Sequence, residues 1–252
     1  MKPLVAIAYR EYRIRLTNPI LPLWDVLVPM VYLVVFGSSF SRAGFAFSWA
    51  GQQLDYSWFL LGGVLAMVTF SIAMNSSYAA FEDLQSGIFQ EMLTYPFPRR
   101  ELLLGKLLFN GAFGLIASVC CLFAGAFVLR LPVYWTKLPA LLIWVIAGTA
   151  AWYFFFVWIS LRVRGFNAYH TTTSTLYLLL MFISNLFYPV ETLPVWIRWS
   201  AYLNPITWQV DVLRYLTSPS AQSAFMWEAL AFLGFMVFSY WLANRKLNSP
   251  VE

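Results

Sequence analysis

The stretch GIFQEMLTYPFPRRELLLGK, residues 87–106, is a charged island between two long apolar runs. Outward from it the chain is nearly all apolar. Six runs approach the roughly 20 residues that a membrane-spanning helix takes: 20–40, 58–80, 107–129, 138–161, 171–188 and 226–243. Their hydrophobicity is continuous rather than alternating, so they read as helices and not as strands of a barrel. The expected fold is all-α: a polytopic membrane protein of six transmembrane helices forming a single domain over residues 1–252.

Composition agrees. The 252 residues are 61% hydrophobic and 11% charged, with a mean hydropathy of +0.68. A soluble domain carries about 25% charged residues. The net charge of +5 fits basic residues gathered in loops on the inner side of a membrane. No basic run interleaved with exposed aromatics points to nucleic acid. With the N-terminus inside, eleven of the 16 basic residues fall in inner segments (Lys2, Arg10, Arg13, Arg15, Arg99, Arg100, Lys106, Arg162, Arg164, Arg245 and Lys246). That bias predicts a multi-pass protein of a bacterial-type cytoplasmic membrane, with both termini cytoplasmic. The first 17 residues, broken by Arg10, Glu11, Arg13 and Arg15, lack the continuous apolar core of a cleavable signal. The first span is expected to act as its own insertion signal.

Three segments outside the spans have order of their own. In residues 3–17, Val5, Ala8, Tyr9, Tyr12 and Leu16 fall on one helical face, with Arg10 and Arg13 off it. This predicts an interfacial helix with its basic groups toward the headgroups. In residues 82–106, Phe81, Leu84, Ile88 and Met92 form an apolar stripe beside Glu82, Asp83, Gln85, Gln90 and Glu91. Pro96 and Pro98 stop that helix, and Arg99, Arg100, Glu101 and Lys106 lead into the third span. A connection of over twenty residues exceeds the usual 2–8 between helices. In residues 189–223, Leu193-Pro194 and Asn204-Pro205 can each start a short helix, with Asn204 as N-cap and proline at the first helical position. Asp211 and Arg214 are spaced to pair, and Trp196, Trp199, Tyr202 and Trp208 suit a membrane boundary. The expectation is a pair of short re-entrant helices at the outer face.

The span centres hold no Asp, Glu, Lys, Arg or His, which weakens an ion-coupled carrier. No phosphate-binding G-x-x-x-x-G-K-[ST] occurs; Gly105-Lys106 lacks the first glycine and the hydroxyl. The chain is therefore expected to bind no cofactor and to have no catalytic residues. His170 is the lone histidine, and the adjacent Cys120 and Cys121 are poorly placed to pair, so no metal site is expected. The mid-membrane polarity consists of Ser, Thr and Asn, and Thr69, Asn75, Thr175 and Asn185 are the candidates for lining a path, if they do not simply bond helix to helix.

With those residues in hand, the chain resembles the membrane-spanning subunit of type 2 ABC exporters, nearest the drug-resistance and lipooligosaccharide or polysaccharide export branch. Gly87, Glu91, Leu93, Pro96, Arg99, Gly105 and Lys106 match the family's inner pattern; Pro189, Leu193, Pro194, Asn204, Pro205, Asp211 and Arg214 match its outer one. The resemblance implies a half-channel: two copies of the chain as a homodimer in membrane lipid, above two ATPase subunits that bind ATP and Mg. It assigns ATPase coupling to Glu82, Asp83, Gly87, Gln90, Glu91, Pro96, Arg99, Arg100, Gly105 and Lys106. It assigns an outer gate to Pro189, Glu191, Pro194, Asn204, Pro205, Asp211 and Arg214. The implied cargo is amphiphilic, lipid-linked or saccharide. A passive channel or ion-coupled carrier is the alternative, and ion-dependent transport by the chain alone would favour it.

Overall fold

In a computed structural model of the chain, the described residues are 3–17, 19–49, 52–92, 94, 99–218 and 225–248. They form ten α-helices in the order α1 (Pro3–Thr17), α2 (Ile20–Arg42), α3 (Tyr56–Gln85), α4 (Ile88–Met92), α5 (Arg99–Val128), α6 (Leu138–Ser160), α7 (Phe166–Phe182), α8 (Val195–Tyr202), α9 (Pro205–Thr217) and α10 (Met226–Asn248). A 3-10 turn spans Val190–Thr192. The all-α expectation holds apart from one hairpin, β1 (Ala46–Trp49) paired antiparallel with β2 (Gln52–Asp55), which periodicity did not reveal. Among the described residues, α2, α3, α5, α6 and α10 are long and apolar enough to cross a membrane. At 17 residues, α7 sits at the lower end of spanning length.

α3 is the axis. It is buried along almost all of its length, and α2, α5, α6 and α9 pack around it. α10 lies on α6 and α9, and α1 lies along α5. At the centre, the Phe70 ring meets Trp152 edge-on at 4.5 Å and Phe156 at 5.2 Å. Asp55 starts α3: in an extended conformation, its carboxylate accepts the Ser57 N–H at 2.8 Å, satisfying one of the orphan donors of a helix end.

Two predicted boundaries move. The helix expected from Glu82 to Leu93 does not begin at Glu82, because α3 continues through Gln85. Gly87 then turns the chain at φ +79°, and the five-residue α4 follows. The stripe Phe81, Leu84, Ile88, Met92 is thus divided between two helices, since a left-handed residue ends an α-helix. The stop expected at Pro96 and Pro98 lies outside the described residues. The helix expected at 171–188 as the fifth span runs instead from Phe166 to Phe182, and it is not among the five helices of the described residues that are long and apolar enough to cross a membrane. It starts directly after Gly165 (φ +90°), and it ends because Ser184 and Asn185 turn into the core to meet partners.

Candidate functional site

Two polar assemblies, one at each end of α3, hold the residues that the sequence singles out. At the end nearest α4, Glu82, Gly87 and Glu91 are exposed. Ser86 closes α3 by donating its N–H to the Glu82 carbonyl at 2.9 Å, and the Glu91 N–H reaches the Gly87 carbonyl at 3.1 Å. Phe89 turns inward and anchors the short helix. Gln90 lies within α4, and Arg99 and Arg100 open α5; Pro96 and Leu93 fall outside the described residues.

Asp83, Gly105 and Lys106 are elsewhere: inside the protein rather than on a solvated loop. The Lys106 ammonium, 1% exposed, donates to Asp83 Oδ2 at 2.6 Å and to Glu11 Oε1 at 2.7 Å. Arg10 closes the circuit with bidentate contacts to Asp83 at 2.7 and 3.0 Å and a contact to Glu11 at 3.2 Å. Its hydrogen bonds to the Asp83 carboxylate raise the Arg10 guanidinium above its usual range, against the cost of burial. Gly105 lets α1 approach: a Cβ there would sit 2.8 Å from Ile7 Cβ. Two cations and two anions therefore cancel in a cluster that ties α1 to the ends of α3 and α5. A buried charge persists only when paired and hydrogen-bonded, and the partners here come from positions 73 and 95 residues apart, so no local spacing signals the cluster.

The same cluster reorients α1. Arg10 and Arg15 point into the protein, while Val5, Tyr9, Tyr12 and Leu16 face outward, the reverse of basic groups turned to the headgroups; only Arg13 remains exposed on the expected side. Arg15 lies over the rings of Phe109 and Phe113 at 5.5 and 5.2 Å and donates to Ser76 Oγ and Asn110 Oδ1. It also lies 3.5 Å from Asp25, whose carboxylate accepts from Asn75 Nδ2. Burial lowers the Arg15 pKa, and Asp25 opposes that shift.

At the opposite end, α8 and α9 form the expected pair of short helices. Pro194 precedes α8, Pro189 starts the 3-10 turn, and exposed Glu191 lends its carbonyl to Arg198 at 2.7 Å. Asn204 is the N-cap of α9, accepting the Ile206 N–H at 3.0 Å, and Pro205 takes the first helical position. The amide of Asn204 also donates to the carbonyls of Leu180 and Ile183 at 2.6 and 2.7 Å. One side chain thus satisfies the start of α9 and the end of α7. Asp211 and Arg214 pair at 3.2 Å as their spacing predicts.

What the spacing could not indicate is that Arg214 is 0% exposed. Its Nε donates to the Phe59 carbonyl at 3.2 Å, its Nη2 to the Asn185 carbonyl at 2.8 Å, and its guanidinium carbon lies 3.7 Å from the centre of the Phe59 ring. Gly62 and Gly63 make room. A Cβ on Gly62 would lie 2.8 Å from the Arg214 backbone, and one on Gly63 would collide with the Leu186 carbonyl.

Gln209 was missed by sequence reading. It sits fully buried between helices, accepting from Trp152 Nε1 and donating to Thr69 Oγ1, both at 2.7 Å. Thr69 is therefore enclosed within the subunit, as is Asn185, whose amide donates to Asp211 at 2.6 Å. Asn75 and Thr175 are the two path candidates with exposed surface. Among the described residues no group of three or more His, Cys, Asp or Glu side chains could hold a metal ion.

The chain is similar to proteins named as transport permeases. The chain is 25% identical over 208 residues to the "Putative transport permease ycf38" of Cyanophora paradoxa, covering 81% of this chain and 70% of that one. It is 22% identical over 196 residues to the "Probable multidrug ABC transporter permease YbhR" of Escherichia coli strain K12, covering 73% of this chain. It spans half the length of that relative. The family profile described as "ABC-2 type transporter" matches residues 3–217, from the start of α1 to the end of α9. The match covers α1, the α3–α4 corner and the outer hairpin alike, and the chain belongs to the ABC-2 type transporter family.

Proposed function

We propose that the chain is the transmembrane subunit of an ATP-driven exporter, with two copies forming the pathway and a separate ATPase, which binds ATP and Mg, docking at the α4 corner. The observation that carries this reading is the continuity of α3. One 30-residue helix joins the exposed corner at Gly87 to the close packing of Gly62 and Gly63 against Arg214 and Leu186. A displacement passed from α4 through the Gly87 turn to the end of α3 would reach the hairpin along one unbroken helix, and packed elements with two arrangements respond to such a bias by switching.

In this mechanism Glu82 and Glu91 face the ATPase and set charge complementarity. Gln90, Pro96, Arg99 and Arg100 belong to the same segment. Asp83, Gly105 and Lys106 act from behind, holding α1 and α5 to the lever. Asn204, Pro205, Asp211 and Arg214 position the outer gate, with Pro189, Glu191 and Pro194 setting its entry. α7 buries only Tyr169, Thr173 and Met181, and α2 is largely exposed; these are the faces a second copy would cover.

Between α2 and the chain after α7 lies an open groove of about 420 Å³ whose lining includes Tyr32, Phe36, Phe40, Phe182, Phe187 and Tyr188. An aromatic, uncharged wall suits an amphiphilic, lipid-linked or saccharide cargo, and the multidrug designation of YbhR is in keeping with the first of these. The proposed setting is a bacterial-type cytoplasmic membrane, with both termini and the α4 corner on the inner side. The test is purification of tagged chain from native membranes in mild detergent, with an ATPase assay on what comes with it. A co-purifying ATPase whose turnover falls in Glu91→Arg supports the reading; a chain that comes out alone, with no nucleotide turnover, argues for a channel or carrier.

A further inference from the structure

Away from the lever and the gate, a groove of about 350 Å³ opens between the C-terminal ends of α6 and α10, lined by Trp158, Arg162, Leu242, Arg245 and Lys246. Three of the five described lining residues are cationic and none is acidic. Nor does Arg162 or Arg245 form an ion pair among the described residues. Each is instead held by a ring: the Arg162 guanidinium carbon lies 4.7 Å from the centre of Trp158, and that of Arg245 lies 5.2 Å from Trp241. A guanidinium stacked by its face keeps its edge N–H groups for an anion, and that edge matches phosphate in two-point contact.

The groove adjoins α10, the least buried of the long apolar helices among the described residues. α10 is the outermost long helix, and its exposed side chains Leu230, Val237, Phe238 and Trp241 form an apolar strip that runs down to Arg245. The pattern is amphipathic, with cations at the depth of the headgroups and hydrocarbon above. A free phosphate ion would use the cations alone, whereas a phospholipid would use both parts. Basic pockets between membrane helices on the headgroup side are suited to anionic lipids.

We propose that this groove binds the phosphate headgroup of an anionic phospholipid in the leaflet at this end of the bundle, with an acyl chain lying along α10. The test is native mass spectrometry of purified protein exposed to an equal mixture of phosphatidylglycerol and phosphatidylcholine. The expected result is retention of phosphatidylglycerol about tenfold above phosphatidylcholine, and loss of that preference in Arg162→Gln/Arg245→Gln/Lys246→Gln. Arg42→Gln/Arg130→Gln, at the opposite end, should keep the preference. Should the triple variant fail to fold, Arg245→Gln alone, with an unchanged melting temperature, should lower phosphatidylglycerol retention about threefold. Equal retention of the two lipids overturns the proposal, as does undiminished preference in the groove variants or equal loss in the opposite-end variant. Displacement of phosphatidylglycerol by millimolar inorganic phosphate would assign the groove to a small anion, and displacement by a polyglutamate peptide to a protein; either result overturns the lipid.

Discussion

The two ends of α3 bury charge in opposite ways. Near α4, Arg10, Glu11, Asp83 and Lys106 neutralise one another through contacts of 2.6–3.2 Å, so every charge has a mutable partner. At the hairpin, Arg214 pairs with the Asp211 carboxylate and also reaches two backbone carbonyls and an aromatic face. A set of mutually compensating charges can be dismantled in pairs. A cation held by the backbone cannot, because no substitution removes a carbonyl. The assembly near α4 is thus exchangeable in pairs, while the one at the hairpin centres on Arg214.

The sharpest way to break this comparison is Arg214→Leu, expected to cost about 3–5 kcal/mol by leaving Asp211 and two carbonyls uncompensated. Adding Asp211→Asn should restore little of it. Thermal melting of the purified protein in detergent reads both, and recovery in the double variant would make the two ends alike. Next, Lys106→Met should cost about 3 kcal/mol by leaving Asp83 and Glu11 with Arg10 alone. Here Asp83→Asn in the same chain should recover about half, and a purely additive cycle would remove the mutual compensation. Gln209→Leu should be milder, about 1–2 kcal/mol, since it strands the Trp152 donor and no charge, while the Thr69 hydroxyl keeps its bond to the Ala66 carbonyl. Smallest in stability is Glu91→Arg, within about 0.5 kcal/mol because the side chain is exposed, yet transport in reconstituted vesicles should fall to background. Unchanged flux would deny α4 its coupling role.

The helices and their order were legible because lipid imposes one rule, a long apolar run for each span, and composition satisfies it plainly. Asn204-Pro205 was legible because capping chemistry is local: the side-chain acceptor and the fixed proline φ act within three residues. The Asp211–Arg214 pair was legible for the same reason. The depth of Arg214 was not, since its partners come from Phe59 and Asn185, 155 and 29 residues away. The inward turn of Arg10, Arg15 and Lys106 was hidden likewise. Periodicity finds the apolar face of α1, but in a membrane an apolar face can look outward, and only the carboxylates of α2 and α3 decide the matter. The break at Gly87 was visible as a glycine, but the stripe of apolar residues ran through it and argued the other way.

The length of α3 has a consequence for the membrane itself. Thirty residues at 1.5 Å each make a rod of about 45 Å, close to the full thickness of a bilayer with its headgroup layers. Standing along the membrane normal, such a rod would bring the Gly87 corner out at the edge of the water. Longer-chain lipids would draw the corner back among the headgroups, and shorter ones would lift it clear, at a cost of fractions of a kcal/mol per ångström. Lipid chain length becomes a dial on how accessible α4 is, and a cell that thickens its membrane would be turning this transporter down.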